Sequence, residues 1–367
     1  MAGRSLSVAF LTSARAWRGS GVSFFHIAQG LVTKGHRVHM LAGDDPVLEA
    51  FAQRGLSAGR VPTGKTGIRG ALALARSLRA VKADCLVVDR PRDLRLGALA
   101  SLFYPVALVN RYNLSRSRPP LDLLSRLAYL KVRLTIFVSE TSARQALTGA
   151  RYLRARPHQV IPEAAGPQFY PNPAAEDEFR RAYGLQDREY LVAVGSLTAD
   201  KRYDFLLNIL SRLGAGAPLL VVCGAGSKID ELRELAARLQ VEARFLGFVP
   251  PEELPGAYTG AIAVVHVCEI ETFGLSVLEA IACGCAVVAI DGGAVPEVLG
   301  GAGILSPPGD PDAFAVRLRE LLLHPDRRAA LGAAALRQAA GFSLASMQEA
   351  HVRAIEWACS PDQAERS

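Results

Sequence analysis

VVHVCEIETFGLSVLEAIACGCAVVAI, residues 264–290, contains a strand, a turn, a helix and a second strand in succession. The apolar run Ala261–Val267 has the length and β-branched content of a buried strand. Ser276–Cys283 follows a helical pattern, and Gly284 stops it. Ala286–Ile290 is again apolar and strand-like. A strand, a crossover helix and a strand at this spacing call for a parallel sheet with helices on its faces.

The same alternation extends upstream and downstream. Tyr190–Val194 reads as a strand ending at Gly195, Leu206–Leu213 as a helix, and Leu219–Cys223 as a strand followed by the turn Gly224-Ala-Gly226. Ile229–Leu239 is a helix, Arg244–Leu246 a short strand, and Gly303–Leu305 a further strand. The first half repeats the scheme. Its strands are Leu6–Leu11, Arg37–Leu41, Cys85–Val88, Val106–Val109 and Thr135–Val138. Its helices are Val22–Thr33, closed by Lys34-Gly35-His36, and Leu72–Val81. The fold class is therefore α/β, with two doubly wound Rossmann-like domains in tandem. The expected boundaries are 1–165 and 189–345, with a linker over 166–188 read from the aperiodic Pro- and Ala-rich stretch Ala164–Ala175. In such sheets ligands bind at the carboxyl ends of the strands, and a cleft between two such domains is the default site.

Composition sets limits on this reading. The chain has 367 residues, half of them hydrophobic, enough for two cores. Six cysteines form neither a CxxC pair nor a Cys/His cluster of zinc-like spacing, which reads as a reduced, cytosolic chain. No apolar window reaches transmembrane length. The net charge of +7 is divided unevenly: residues 1–156 carry 25 Lys and Arg against 8 Asp and Glu, while the remainder carries 17 against 27. A basic first half points to an anionic partner or, more plainly, to a solvated Arg-rich surface. Without aromatic stacking platforms beside the charge, nucleic acid is disfavoured and an anionic membrane surface preferred. The arginines expected to approach it are Arg69, Arg76, Arg79, Arg90, Arg92, Arg95, Arg116 and Arg118.

Within residues 264–290 the chemistry lies at the helix start. A helix N-terminus presents unpaired N–H groups and partial positive charge, suited to a diphosphate. Glu279, one turn inside, can accept from vicinal hydroxyls such as those of a ribose, and Glu271, ahead of the helix, can contact a sugar. The spacing of these two residues carries little information, because Glu234 and Glu242 lie the same distance apart. What distinguishes Glu271 and Glu279 is the preceding strand and the Phe273-Gly274-Leu275 turn. Asp310-Pro-Asp312 follows a Pro-Pro-Gly turn and reads as a helix cap, not a metal site. Gly292-Gly293 lacks the layout of a nicotinamide fingerprint.

These segments resemble the donor-binding core of family 4 retaining glycosyltransferases of the GT-B fold, including the lipopolysaccharide-core type. The resemblance rests on Glu-Thr-Phe-Gly-Leu-Ser-Val-Leu-Glu-Ala (271–280), Ala-Cys-Gly-Cys-Ala-Val-Val-Ala (282–289) and Gly-Gly-Ala-Val-Pro-Glu-Val (292–298). It extends to Phe245-Leu-Gly-Phe-Val-Pro, Val221-Val-Cys-Gly-Ala-Gly and Val194-Gly-Ser-Leu-Thr-Ala-Asp-Lys201. More thinly, it includes Gly19-Ser-Gly21, Lys34-Gly-His36-Arg-Val and Val138-Ser-Glu-Thr. The resemblance implies that Lys201 contacts the donor diphosphate, Glu279 the ribose and Glu271 the transferred sugar, with Glu271 and Lys201 as the catalytic pair. Backbone around Phe273, Gly274 and Leu275 would bind sugar and phosphate. Phe248 would lie near the base, and Gly195, Ser196 and Gly224 would line the donor site. Gly19 and Gly21 would open a loop towards the phosphates. The family usually has Arg where Ser196 stands; Arg202, at a position where Gly is common, would supply the missing charge. A frequent His is replaced by Asn110-Arg111 in an expected loop, with Arg111 facing phosphate or acceptor. A common Asn-Gly is replaced by Glu163-Ala164.

The implied function is transfer of a sugar from a nucleotide-diphosphate sugar to a glycan or glycolipid of the cell envelope, with retention and without a metal or resident cofactor. The implied location is cytoplasmic, peripheral on the inner face of the membrane. The first domain would hold the acceptor, and a last helix over 346–367 would pack back on it. The alternatives are a non-catalytic nucleotide-sugar-binding subunit and a nucleotide-sugar epimerase or hydrolase on the same fold.

Overall fold

A computed structural model describes residues 4–15, 17, 19–64, 67–113 and 123–360. The chain divides into two compact units. One holds the residues up to Glu163 together with those from Leu344 onward, and the other holds Ala164–Ser343.

The first unit is built on a parallel sheet of seven strands: β1 Ser7–Thr12, β2 Arg37–Ala42, β3 Ser57–Arg60, β4 Cys85–Val88, β5 Ala107–Tyr112, β6 Val132–Phe137 and β7 His158–Val160. Their order is β3-β2-β1-β4-β5-β6-β7. The order reverses between β1 and β4, and this junction is the switch point at which such sheets open a crevice. Helices cover both faces, so β1 and β4 are buried along their whole length. The helix Leu344–Ala358 belongs to this unit. It buries Met347, His351, Val352 and Ile355. Gln348 Nε2 donates to the His26 carbonyl at 2.9 Å. A Cβ on Gly30 would come within 2.7 Å of the Gln348 Cβ, so the glycine allows this close approach.

The second unit has six parallel strands: β8 Tyr190–Val194, β9 Leu219–Cys223, β10 Ala243–Gly247, β11 Ala263–His266, β12 Val287–Ile290 and β13 Ile304–Ser306, in the order β10-β9-β8-β11-β12-β13. Switch-point order recurs between β8 and β11. Residues 264–290 occupy the expected places: β11, the helix Leu275–Ala282, Gly284 in the left-handed region at φ 70° and β12.

Three readings are corrected. Residues 166–188 are not a bare linker, because they contain the helix Pro173–Ala182. Asn172 caps it by accepting from the Ala175 N–H at 3.1 Å. Pro173 sits in the first turn, where the missing N–H costs nothing. The helix lies so close to Leu254–Thr259 that a Cβ on Gly256 would meet the Ala175 carbonyl oxygen at 2.1 Å. Second, β5 does not end at Val109. It continues through Asn110, Arg111 and Tyr112, all buried. Third, Gly19-Ser-Gly21 is not an open loop but the first turn of the helix Gly19–Thr33. Gly21 makes room there for the Trp17 ring, which would lie 3.2 Å from an added Cβ.

Candidate functional site

In the second unit the loops after β8, β9, β11 and β12 meet at the carboxyl edge of the sheet. The first two pack backbone against backbone. The Gly195 N–H donates to the Cys223 carbonyl at 3.1 Å and the Leu197 N–H to the Ala225 carbonyl at 3.0 Å. A Cβ on Gly224 would lie 1.8 Å from the Gly195 oxygen, so no other residue fits without moving a loop. Ser196 sits in the same turn, its hydroxyl 3.4 Å from that of Thr198. The turn Ala199–Lys201 follows, and Arg202 takes a left-handed conformation at φ 54° before the helix Tyr203–Ser211.

That turn aims Lys201 at Glu271. Lys201 Nζ donates to Glu271 Oε2 at 2.5 Å, and both side chains are largely buried. Burial alone would disfavour the Lys201 charge; the Glu271 carboxylate outweighs it and holds the ammonium above its ordinary pKa. Burial likewise opposes the Glu271 charge, but Lys201 and then His266 reverse this and hold the carboxyl below its ordinary value. Both groups are therefore ionised at neutral pH. Gly292 and Gly293 give the Glu271 loop its support. A Cβ on Gly293 would meet the Glu271 carbonyl oxygen at 2.2 Å, and the Ala294 N–H donates to that same oxygen at 2.9 Å.

Arg202 does not join Lys201. Its guanidinium reaches Glu269 at 3.4 Å and stacks over Phe205 at 5.1 Å, half-exposed. Gly274 opens the helix Leu275–Ala282 from the left-handed region at φ 96°. Leu275 is partly buried in its first turn. Phe273 is a core anchor, buried edge-to-face against Phe342 at 5.8 Å. Glu279 accepts from the Tyr258 hydroxyl at 3.0 Å. Burial pushes its carboxyl up to about 7, against the lowering effect of that hydrogen bond. Phe248 follows Gly247 at the end of β10 and is 63% exposed, an uncovered ring at the sheet edge. Gly247 in turn accepts from the Gly224 N–H at 2.7 Å, which ties the β10 end to the β9 loop.

The sequence reading overlooked a cluster here. His266, Cys268 and Glu271 place one imidazole nitrogen, one thiol sulfur and one carboxylate oxygen within 4.8 Å of one another. A pass that looked for paired cysteines does not find it, although His266 and Cys268 two apart at a strand end face the same side.

The first unit holds a second polar centre at its own switch point. Arg111 is not available to an acceptor. It is fully buried and ion-paired with Glu163, which also accepts from the Ser23 hydroxyl at 2.8 Å. The strand continues through Arg111 because Glu163 supplies the counter-charge that a buried guanidinium requires. Asn110 donates to the Tyr129 hydroxyl at 3.2 Å. Asp89 and Asp93, after β4, are buried as well. Asp93 accepts from the Ser13 N–H at 2.8 Å. Burial, with Asp89 beside it, pushes its carboxyl up to about 7. Asp89 at a strand end was visible in the sequence but not singled out. Of the eight arginines assigned to an anionic surface, Arg69, Arg76 and Arg79 are exposed. Arg92 is drawn to the Gly64 carbonyl and Arg90 lies 4.0 Å from Asp89. Arg95 is only partly exposed, and Arg116 and Arg118 lie outside the described residues.

Comparison with known proteins agrees with this architecture. Residues 17–166 match the model of glycosyltransferase family 4, and residues 175–338 match that of glycosyl transferases group 1. The chain is 33% identical over 180 residues to a GDP-mannose-dependent alpha-(1-6)-phosphatidylinositol monomannoside mannosyltransferase of Mycolicibacterium smegmatis, covering 46% of this chain and 47% of that one. It is 34% identical over 167 residues to O-antigen chain mannosyltransferase B of Escherichia coli, covering 44% of each. The matched region thus spans about half the length of these relatives. Among solved structures, Anabaena Alr3699/HepE in complex with UDP and glucose superposes with a TM-score of 0.82 at 19% identity, covering 96% of this chain and all of that one. The fold is GT-B, and the two family matches support a family 4 glycosyltransferase.

Proposed function

We propose that the protein transfers a sugar from a nucleotide-diphosphate sugar to a glycan or glycolipid acceptor, with retention at the anomeric carbon. The observation that carries this reading is the Lys201–Glu271 pair, 2.5 Å apart beside the N-terminus of Leu275–Ala282. The arrangement separates two tasks. Lys201 and the helix N–H groups offer positive charge to a leaving diphosphate. Glu271 offers negative charge to a sugar whose anomeric carbon becomes electron-deficient. Donors fixed in advance of the reaction stabilise the transition state without reorganising. Glu279 receives the ribose hydroxyls, and Phe248 offers a face to the base. Because lysine and backbone supply the positive charge, transfer on this reading needs no metal.

Relatives named for phosphatidylinositol monomannoside and O-antigen chains support a glycolipid or glycan acceptor. On this reading the first unit holds it and the enzyme works on the inner face of an anionic membrane. No helix of the described residues is long and apolar enough to cross a membrane. Attachment on this reading uses the exposed Arg69, Arg76 and Arg79, the last donating to the carbonyl of the exposed Phe103 at 3.1 Å.

The test is a thermal-shift screen against UDP, GDP, ADP and CMP sugars, followed by turnover with the donor that binds. A donor that binds only the folded state raises Tm. Lys201→Ala and Glu271→Ala should each lower transfer by about 10²–10³-fold, the usual effect of losing one transition-state partner, with circular dichroism unchanged. Near-normal turnover of both variants would sink the assignment.

A further inference from the structure

We propose that His266, Cys268 and Glu271 form a binding site for a thiophilic divalent cation of the zinc class, and that its occupation inhibits the enzyme by taking Glu271 from the donor sugar. The proposal rests on the transferase reading for its effect on turnover and on geometry for the site itself. His266 Nε2 is buried, lacks a hydrogen-bond partner among the described residues and lies 3.6 Å from Glu271 Oε2. It points into the cluster. The three ligand atoms lie within 4.8 Å of one another. Around a tetrahedral zinc, ligand atoms stand roughly 3.3–3.8 Å apart, so small side-chain rotations suffice to close the site.

The ligand set selects the ion. Imidazole, thiolate and one carboxylate suit zinc and cobalt, whereas magnesium prefers an octahedral shell of oxygens. The His266 imidazole is buried, with its Nε2 unpartnered among the described residues and so open to an ion. The Cys268 thiol, buried and donating to the Asp200 carbonyl at 3.4 Å, would give up that bond and release its proton to solvent as the metal–sulfur bond forms. One thiolate and one carboxylate then balance the two positive charges of the ion, which compensates for burying it. Lys201 loses its partner in that state, and its flexible stem lets the ammonium move aside. Three protein ligands leave the fourth position open to water.

The experiment uses the full chain without an affinity tag, reduced and stripped with chelator. Cobalt(II) serves as the probe because a thiolate ligand gives it an intense near-ultraviolet charge-transfer band. One equivalent should produce that band, zinc should abolish it, and magnesium should leave it intact. Cys268→Ser should remove the band, and His266→Ala should weaken cobalt binding at least tenfold, with both variants folded by circular dichroism. Zinc should also suppress the donor-induced Tm shift of the wild-type protein. Absence of the band in the wild type, or cobalt titrations of both variants matching the wild type, would overturn the site. A band with no donor shift from any nucleotide sugar would leave the metal site standing and remove the transferase reading; a donor shift that persists under saturating zinc would remove the inhibition.

Discussion

At the scale of the residue, the burial of Asp93 ties stability to pH. Asp93 is fully buried, and its carboxyl is raised from 3.8 to about 7. The native state therefore holds a proton more tightly than the unfolded chain. Its contribution to stability is complete below about pH 4 and is lost as pH rises through about 7. The full span corresponds to on the order of 4 kcal/mol at 1.36 kcal/mol per pH unit. Asp93→Asn keeps an oxygen to accept from Ser13 and removes the ionisation. Urea unfolding between pH 5 and pH 8 should accordingly show a much flatter pH dependence than the wild type. Some slope should persist, since the Glu279 carboxyl is also raised to about 7 and weakens the fold in the same direction. A variant whose slope matches the wild type would show that Asp93 titrates normally. Arg111 poses the opposite case. Removing one member of its buried pair with Glu163 leaves a bare charge, so Arg111→Met should cost about 3–5 kcal/mol. The double variant Arg111→Met/Glu163→Leu should recover most of that in the same unfolding assay.

At the scale of the element, the βα loops after β8 and β9 leave little room for change. Gly224→Ala drives a Cβ into the Gly195 carbonyl, backbone against backbone, and should destabilise by about 3 kcal/mol, the upper end of ordinary overpacking. Gly35→Ala is the control. Gly35 has φ 85° but nothing within 4 Å of an added Cβ, so only the left-handed backbone resists, at about 1 kcal/mol. Denaturant midpoints measured side by side check the ranking. The elements the sequence displayed plainly were those buried on both faces: Leu219–Cys223 and Val287–Ile290 read as strands because every side chain is apolar or small. The ones it concealed had local reasons to do so. Ser57–Arg60 is an edge strand, mostly exposed, with no apolar run to reveal it. Pro173 resembled a chain break, whereas it opens a helix. Asn110 and Arg111 broke an apolar run, and their partners Tyr129 and Glu163 are remote in sequence. The site divided along the same line. Glu271 and the helix Leu275–Ala282 that contains Glu279 sit in one continuous segment. The Lys201 contact and the His266–Cys268–Glu271 cluster become visible only once strands are laid side by side.

For the whole molecule the decisive quantity is the uneven distribution of charge, 25 basic against 8 acidic residues over 1–156. Much of that charge is consumed internally. Arg111 and Arg90 lie against the buried carboxylates Glu163 and Asp89, and Arg92 is drawn to the Gly64 carbonyl. On the proposed membrane reading, the exposed arginines of Ile68–Ala80 meet the lipid, although Arg79 also donates to the Phe103 carbonyl at 3.1 Å. At about 1 kcal/mol per basic residue near an anionic surface, changing Arg69, Arg76 and Arg79 together to Gln should weaken partitioning by about 3 kcal/mol. That is roughly a hundredfold loss in a pelleting assay with phosphatidylserine-containing vesicles. Wild-type pelleting indifferent to anionic lipid would count against membrane attachment.

The helix Leu344–Ala358 also constrains how the protein is made. A nascent chain that has emerged as far as Glu163 has all seven strands of its first sheet but not the segment that covers the Gly30 face. That surface must wait, exposed on the ribosome, while the whole second unit is synthesised, and the first half to be translated is the last to be finished.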